Sequence, residues 1–412
     1  LPDLRKKLLA EIDAEGLTST AAIEGRCLPA WVWMANAGMA LDQEAWRLLA
    51  ERSRTERDHL WGKLEELAPP QPGQLPGLSR WNFDSDQKDV PAVLKLLGFD
   101  VENTRDETLA GVEHPFVDAL REYRQAKWLD STYGEAFIRW VHTDGRVYGG
   151  WNQTGNEAGR SSCKKPNLQG IPRREEYRRA FVAPPGRVLI KADFAAVHLR
   201  IAARIADERK MLDAFLNGKD LHRITAQALL GKDDITKQDR QLAKAVAFGL
   251  LYGMGAKGLR NYALQSYGVS LTLEEAQQHR RTFFKTYPGL AKWHRDTEAN
   301  RSTQTETRTI MGRRRLLDQK TPLMHRLNSP VLGTEGDAAK TALALLWERR
   351  DQCPGARPVA FIHDEIVVEA DAGQADAAAA WVKAAMHDAL APMIAPVPVE
   401  VEVKVGLTWA GD

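Results

Sequence analysis

Cysteine is scarce: Cys27, Cys163 and Cys353 are the only three in 412 residues. They stand too far apart for a paired metal motif or a disulfide framework, which fits a reducing cytosol. No apolar run approaches the roughly 18 residues that a membrane-crossing helix needs. The first residues, LPDLRKKLLAEIDAEG, are charged throughout and lack the apolar core of a signal peptide. Position 1 is not Met, so the chain is expected to be a fragment or a processed product. Internal repeats and low-complexity tracts are absent as well. Net charge is also small, with 57 Lys/Arg against 55 Asp/Glu giving +2.

That small sum conceals segregation. Residues 160–187 carry eight basic side chains (Arg160, Lys164, Lys165, Arg173, Arg174, Arg178, Arg179, Arg187) against Glu175 and Glu176, 8 − 2 = +6. Residues 361–412 carry nine acids against Lys383 and Lys404, 2 − 9 = −7. A basic run is as readily a solvated face as a track for nucleic acid.

Length suggests two or three compact units. Residues 1–60 read as helical. Pro69-Pro70-Gln71-Pro72-Gly73 followed by Pro76-Gly77 reads as a loop, and Ser85 as the cap of a helix ending near Gly98. Residues 115–140 are helical again. Residues 150–172 are rich in Gly, Asn, Ser and Pro and too long for an idle connector. Val188–Phe194 is an apolar strand that ends at a carboxylate, and residues 195–300 are mostly helical. PVAFIHDEIVVE (358–369) reads as two strands turned at His363-Asp364. An Ala-rich helix over 371–391 and an alternating, half-exposed strand over 397–406 close the chain. The order specifies an α+β fold, an antiparallel sheet interrupted by a helical subdomain.

Thr236 and Asp239 have capping-box spacing. After them Arg240, Lys244, Phe248 and Tyr252 recur every four residues, on one slowly drifting helix face. Two cations one turn apart can grip a polyphosphate, and an aromatic one turn further can stack on a base. Spacing alone favours a plainer surface pair beside a buried aromatic pair. Asp193 ends an apolar strand, while Asp364 and Glu365 stand at a hairpin turn between apolar flanks. Carboxylates between buried strands are costly unless paired or bound to a cation, and such an oxygen-rich site suits Mg²⁺.

Taken together, Asp193-Phe-Ala-Ala-Val-His-Leu-Arg200, Arg240-x-x-x-Lys244-x-x-x-Phe248-x-x-x-Tyr252-Gly253 and His363-Asp364-Glu365 resemble the three polymerase motifs of family A DNA polymerases. Further similar segments are Ser131-Thr132-Tyr133, Gly159-Arg160-Ser161-Ser162, Pro166–Pro172, Asp220-Leu221-His222, Asn328–Thr334 and Val397–Trp409. The resemblance covers roughly residues 25–412. It implies a right-hand fold: an N-terminal helical remnant over 1–27, palm over 28–50, 129–205 and 323–412, thumb over 51–128, and fingers over 206–322. It implies template-directed transfer of deoxynucleotides from dNTPs to a primer 3′-hydroxyl, with release of pyrophosphate. It also implies a monomer without membrane attachment, working on primer–template DNA in a bacterial or phage-infected cytoplasm, with no intact nuclease domain in this stretch.

By the same resemblance Asp193, Asp364 and the carbonyl of Phe194 hold two Mg²⁺, or Mn²⁺, with Glu365 beside them. Arg240, Lys244 and His222 hold the triphosphate. Phe248 packs on the nucleotide and Tyr252 occupies or guards the templating position. Arg160, Asn167, Gln169, His363, Asn328 and Tyr133 contact DNA. The sequence departs from the family pattern at several places. His198 stands where the family has a Glu that helps exclude ribonucleotides. Ala195-Ala196 replaces a polar Ser-Gln pair, Leu332 a Gln, and Ala247 an Asn or Thr. Met324 takes the place of an Arg, with Arg326 displaced by two. The expected result is an active enzyme with altered sugar and mismatch selectivity. A single-subunit RNA polymerase and a catalytically inactive duplex-binding protein are the alternatives.

Overall fold

The computed structural model describes residues 2–73 and 81–412. The chain divides into two compact units, Leu41–Gly145 and Leu1–Ala40 with Arg146–Asp412.

The larger unit is built on four strands: β1 (Arg187–Phe194), β2 (Arg357–Ile362), β3 (Glu365–Asp371) and β4 (Val401–Gly406). Their order is β4-β1-β3-β2 and every pairing is antiparallel. β3 lies inside the sheet and is buried along nearly its whole length, as its unbroken Ile366-Val367-Val368 run requires. β4 is an edge strand, with Glu402, Lys404 and Val405 turned at least partly outward. Charge on that edge discourages pairing with another chain. The β2–β3 turn is two residues long, as the sequence predicts. His363 takes the left-handed conformation there, with φ +59°. Register sets Asp193 opposite Glu365 on one side and Glu402 on the other. The 397–406 segment is strand only from Val401, and the Ala-rich helix runs later than expected, Ala375–Ile394.

Six helices of this unit position the site: α1 (Thr18–Ala35), α2 (Val197–Ile205), α3 (Leu221–Leu230), α4 (Lys237–Leu251), α5 (Leu323–Glu348) and α6 (Ala375–Ile394). α2 follows β1 through Ala196, another left-handed residue at φ +51°. α4 opens with the expected capping box: the Asp239 N–H donates to Thr236 Oγ1 at 3.2 Å, and the Thr236 N–H to Asp239 Oδ2 at 2.8 Å. α5 has 26 residues and is buried on most faces although Pro330 lies within it. Its Gly333 and Gly336 let the chain at 158–159 lie close. Added Cβ atoms would stand 2.6 Å from the Ala158 carbonyl oxygen and 3.2 Å from that of Gly159. Deep in the same packing Lys340 donates to Glu24 at 2.6 Å and to the Gly159 carbonyl at 2.9 Å. All three thiols are buried, and burial pushes Cys27 up to about 12 and Cys163 up to about 11.

The smaller unit packs the helices Gln43–Leu67, Asp89–Leu96 and Pro115–Tyr133 around Leu60, Leu64, Phe83, Phe116, Leu120 and Tyr123. The Asp42 side chain caps the first of these helices, accepting from the N–H groups of Glu44 and Ala45 at 3.0 Å. Ser85 is not the cap position of the second. That helix starts four residues later; the preceding turn is tied to it by the Val90 N–H donating to the Ser85 carbonyl at 3.1 Å and by a longer 3.4 Å contact from the Asp89 N–H to Ser85 Oγ. The Pro76-Gly77 part of the expected loop lies outside the described residues. The unit's limits enclose the 51–128 span expected for a thumb.

Candidate active site

β1 ends by delivering Asp193 and Phe194, and the β2–β3 turn delivers Asp364. Both carboxyl groups are raised above the ordinary range. Burial is the main cause for each; Asp364 and Glu365 add to it at Asp193, and Glu335 adds to it at Asp364. Asp193 Oδ1 is buried and makes no hydrogen bond among the described residues. An unsatisfied buried acceptor costs about 1–3 kcal/mol. A cation would answer both features, so the residues fit a divalent metal. No group of three His, Cys, Asp or Glu suited to a metal occurs among the described residues. A metal at this pair would therefore complete its shell with backbone, water and substrate phosphate oxygens, as Mg²⁺ commonly does. Glu365 is differently placed: its carboxylate is engaged by Arg178 at 3.1 Å, Lys191 at 3.2 Å and the Trp409 indole N–H at 2.6 Å.

α4 lines one side of a cleft of about 940 Å³ with Arg240, Lys244 and Phe248, and α3 adds His222. That volume is within the range of small-molecule sites. Arg240 is steadied by an ion pair with Asp220 at 2.7 Å. Burial, then the Lys244 charge, takes the His222 imidazole down to about 4, so it is neutral near pH 7. Its ring lies 5.9 Å from that of Phe248. Tyr252 follows the last turn of α4, and its hydroxyl is buried without a hydrogen bond among the described residues.

A third group joins His198 and Arg160, both singled out from sequence, to Glu335, which was not. His198, in the first turn of α2, places Nε2 2.5 Å from Glu335 Oε2, and its ring is 6.1 Å from that of Tyr252. The same carboxylate oxygen pairs with Arg160. Glu335 is fully buried on α5. Burial alone would raise its pKa, but His198 and Arg160 hold it down at about 2. The available signal was two acids, Glu335 and Asp337, inside GTEGDAAK, a stretch otherwise of small residues ending in Lys340.

The family described as DNA polymerase family A matches residues 89–411. This chain belongs to that family. It is 40% identical over 275 residues to DNA polymerase I of Aquifex aeolicus (strain VF5), covering 65% of this chain and 47% of the relative. To the thermostable DNA polymerase I of Thermus aquaticus it is 31% identical over 342 residues, 79% of this chain and 40% of the relative. The chain thus spans less than half the length of these relatives. The POL domain of Pol1 from M. smegmatis, solved in complex with DNA primer-template and dNTP, has a similar structure. The TM-score is 0.82 at 26% identity, over 98% of this chain and 72% of that one.

Asp193, Asp364, Arg240, Lys244, Phe248, Tyr252, His222 and His198 all belong to the larger unit; Arg240, Lys244, Phe248 and His222 line one cleft, while Asp364 acts electrostatically on Asp193 and is itself acted on by His198. Other expected site residues sit differently. Gln169 donates to Ser161 Oγ and to the Phe361 carbonyl, both at 3.0 Å, and so fastens its loop to β2. Asn167 is exposed and Asn328 half-buried on α5. His363 has a partly buried ring whose pKa is lowered, chiefly by burial and then by Arg160. Tyr133 lies in the smaller unit, buried against Trp46, Trp128 and Phe137. Arg326 is no displaced groove contact: it is buried, and its guanidinium donates to the carbonyls of Thr321, Gln304 and Asp318, while Met324 is exposed.

The basic run is also half spent internally. Arg160 pairs with Glu335, Arg178 with Glu365, Arg179 with Asp412 and Glu175, and Arg187 with Glu369 and Asp371. Lys164, Lys165, Arg173 and Arg174 are the exposed remainder.

Proposed function

We propose that this family A chain is a polymerase core that extends a primer on a DNA template with dNTPs. The observation that carries the reading is one arrangement: two buried carboxyls raised above the ordinary range, one with an oxygen unsatisfied among the described residues, share a unit with a cleft that presents Arg240 and Lys244. Asp193, Asp364 and the Phe194 carbonyl hold two Mg²⁺, or Mn²⁺. Such ions, when bound, stabilise negative charge on the attacking and leaving oxygens. Lys244 and Arg240 bind the triphosphate, and neutral His222 offers it a ring N–H without adding charge. Phe248 and Tyr252 form the apolar surface for the base. The primer O3′–phosphorus bond forms as the bond to pyrophosphate breaks. Exposed cations of the 164–174 stretch, with His363, Asn167 and Asn328, face the duplex. Residues 51–128 serve as thumb, 206–322 as fingers, and 28–50, 129–205 and 323–412 as palm.

The similar POL domain was solved with primer-template and dNTP, which supports the same partners here. The chain acts as a monomer in a bacterial cytoplasm; among the described residues no helix is long and apolar enough to cross a membrane. Primer extension with dNTPs and separately with NTPs tests the reading. Template-directed extension that favours dNTPs is expected. Absence of extension, or preference for NTPs, would overturn it.

A further inference from the structure

In the polymerase reading above, on which this inference rests, the nucleotide's phosphates lie along Arg240 and Lys244. Its reacting phosphorus faces Asp193 and Asp364, and its base lies against Phe248 and Tyr252. The sugar joins base to phosphate, so it must lie between Tyr252 and the carboxylates. His198 is the side chain found there. Its ring is 6.1 Å from that of Tyr252, and it is close enough to Asp364 to lower that carboxyl's affinity for a proton.

We propose that Glu335 is the positioning residue for sugar selection, holding the His198 ring across the place where a ribose 2′-hydroxyl would enter. Glu335 is fully buried on α5, and its Oε2 is 2.5 Å from His198 Nε2. Arg160 donates to the same oxygen and also stands 3.0 Å from His198 Nε2. A carboxylate can only accept, so Nε2 carries the hydrogen toward Glu335, and the approach of Arg160 to that nitrogen is one of two donors converging on a single acceptor rather than a bond between them. Arg160 alone would suffice to neutralise the acid. The His198 bond adds something else: it fixes the tautomer and the turn of the ring. Among the described residues Glu335 Oε1 is buried without a hydrogen bond, and so is the Tyr252 hydroxyl, whose pKa is raised by burial and then by Glu335. The carboxylate thus bonds to His198 on one side of the sugar's place and acts electrostatically on Tyr252 on the other. A side chain anchored at its tip blocks a small group better than one free to rotate, because displacement of the order of 1 Å can change rates about 100-fold.

The test is steady-state primer extension on one primer-template, measuring kcat/KM for a dNTP and the matching NTP. Wild type is compared with Glu335→Ala, Glu335→Gln, Glu335→Asp, His198→Ala and the double variant His198→Ala/Glu335→Gln. The dNTP:NTP ratio should fall roughly 10-fold or more in Glu335→Ala. It should fall less in Glu335→Gln, whose amide oxygen can still accept from Nε2. In the double variant it should fall no further than in His198→Ala alone. A merely structural role would lower both substrates together and leave the ratio unchanged, which overturns the proposal. So would equal effects of Glu335→Gln with and without His198. If Glu335→Ala does not fold, Glu335→Asp decides: it keeps the charge but withdraws the carboxylate by one methylene, and an unchanged ratio there also overturns the proposal. A wild type that does not extend with dNTPs sinks the polymerase reading itself, whereas an active wild type with insensitive Glu335 variants sinks only the positioning role.

Discussion

The wall proposed to bind phosphate and the wall proposed to face the sugar are built in opposite ways. The first rests largely on one helix, α4, where steps of four residues bring Arg240, Lys244 and Phe248 into line. The second gathers Arg160, His198, Tyr252 and Glu335 from separate segments through one shared carboxylate oxygen and a ring contact. A wall made by periodicity tolerates loss of one member, because the others keep their places. A wall made by a shared atom does not, and each of its members is positioned by another.

In the proposed function both walls serve the same carboxylate pair, so the largest effect should come from that pair and ignore the difference. Asp193→Asn or Asp364→Asn should lower the single-turnover rate by roughly three orders of magnitude or more, with duplex affinity by filter binding little changed. Near-normal extension by Asp364→Asn would remove it from the chemistry. The next effect separates the walls. Lys244→Ala should lower kcat/KM for dNTPs by about 100-fold, while the dNTP:NTP ratio stays where it was. Arg240→Ala should act mainly on KM, because Asp220 already takes part of that charge. A shift in the ratio from either variant would show that the walls are not independent.

Acid should reach the phosphate wall through its support. His294 Nε2 donates to the Leu251 carbonyl at the end of α4, at 3.0 Å, and burial takes this imidazole down to about 4. The folded value is below the unfolded one, near 6.5, so the neutral ring's contribution is full above pH ~6.5 and is lost as pH falls toward 4. The loss approaches about 3 kcal/mol at its limit. The urea midpoint of wild type should therefore drop between pH 7 and 4.5 by more than that of His294→Gln. Equal drops would place the acid sensitivity elsewhere. The smallest expected effect is on salt. With half of the 160–187 run paired internally, the run's other four cations contribute a slope of no more than about −3 to −4 in log K against log salt. Neutralising Arg173 and Arg174 together should flatten the measured slope by close to 2, and Arg160→Ala by much less.

How much of this was legible in the sequence follows the same division. The capping box, the α4 face, the strand ending at Asp193 and the turn at His363-Asp364 each lie within a short window, and local pattern carries them. α5 carries no such pattern. It is buried on most of its faces, so its apolar residues show no stripe. Its Pro330, Gly333 and Gly336 read as breakers, although the glycines are there to admit the 158–159 backbone. Glu335 was invisible for the same reason, since its partners are 175 and 137 residues away in the chain. The basic run misled in the other direction. Charge counted along a sequence cannot tell Lys164, which is exposed, from Arg187, which is held by Glu369 and Asp371.

The sealed thiols have a practical side. Cys27, Cys163 and Cys353 are each at most 3% exposed, and burial disfavours the thiolate in all three. Maleimides and iodoacetamides react with accessible thiolate, so the native chain offers such reagents almost nothing while it stays folded. A cysteine introduced at exposed Lys257, in the helical segment between β1 and β2, would be the one that takes a dye. The fluorescence of that segment could then be followed during nucleotide addition without first stripping the protein of its own cysteines.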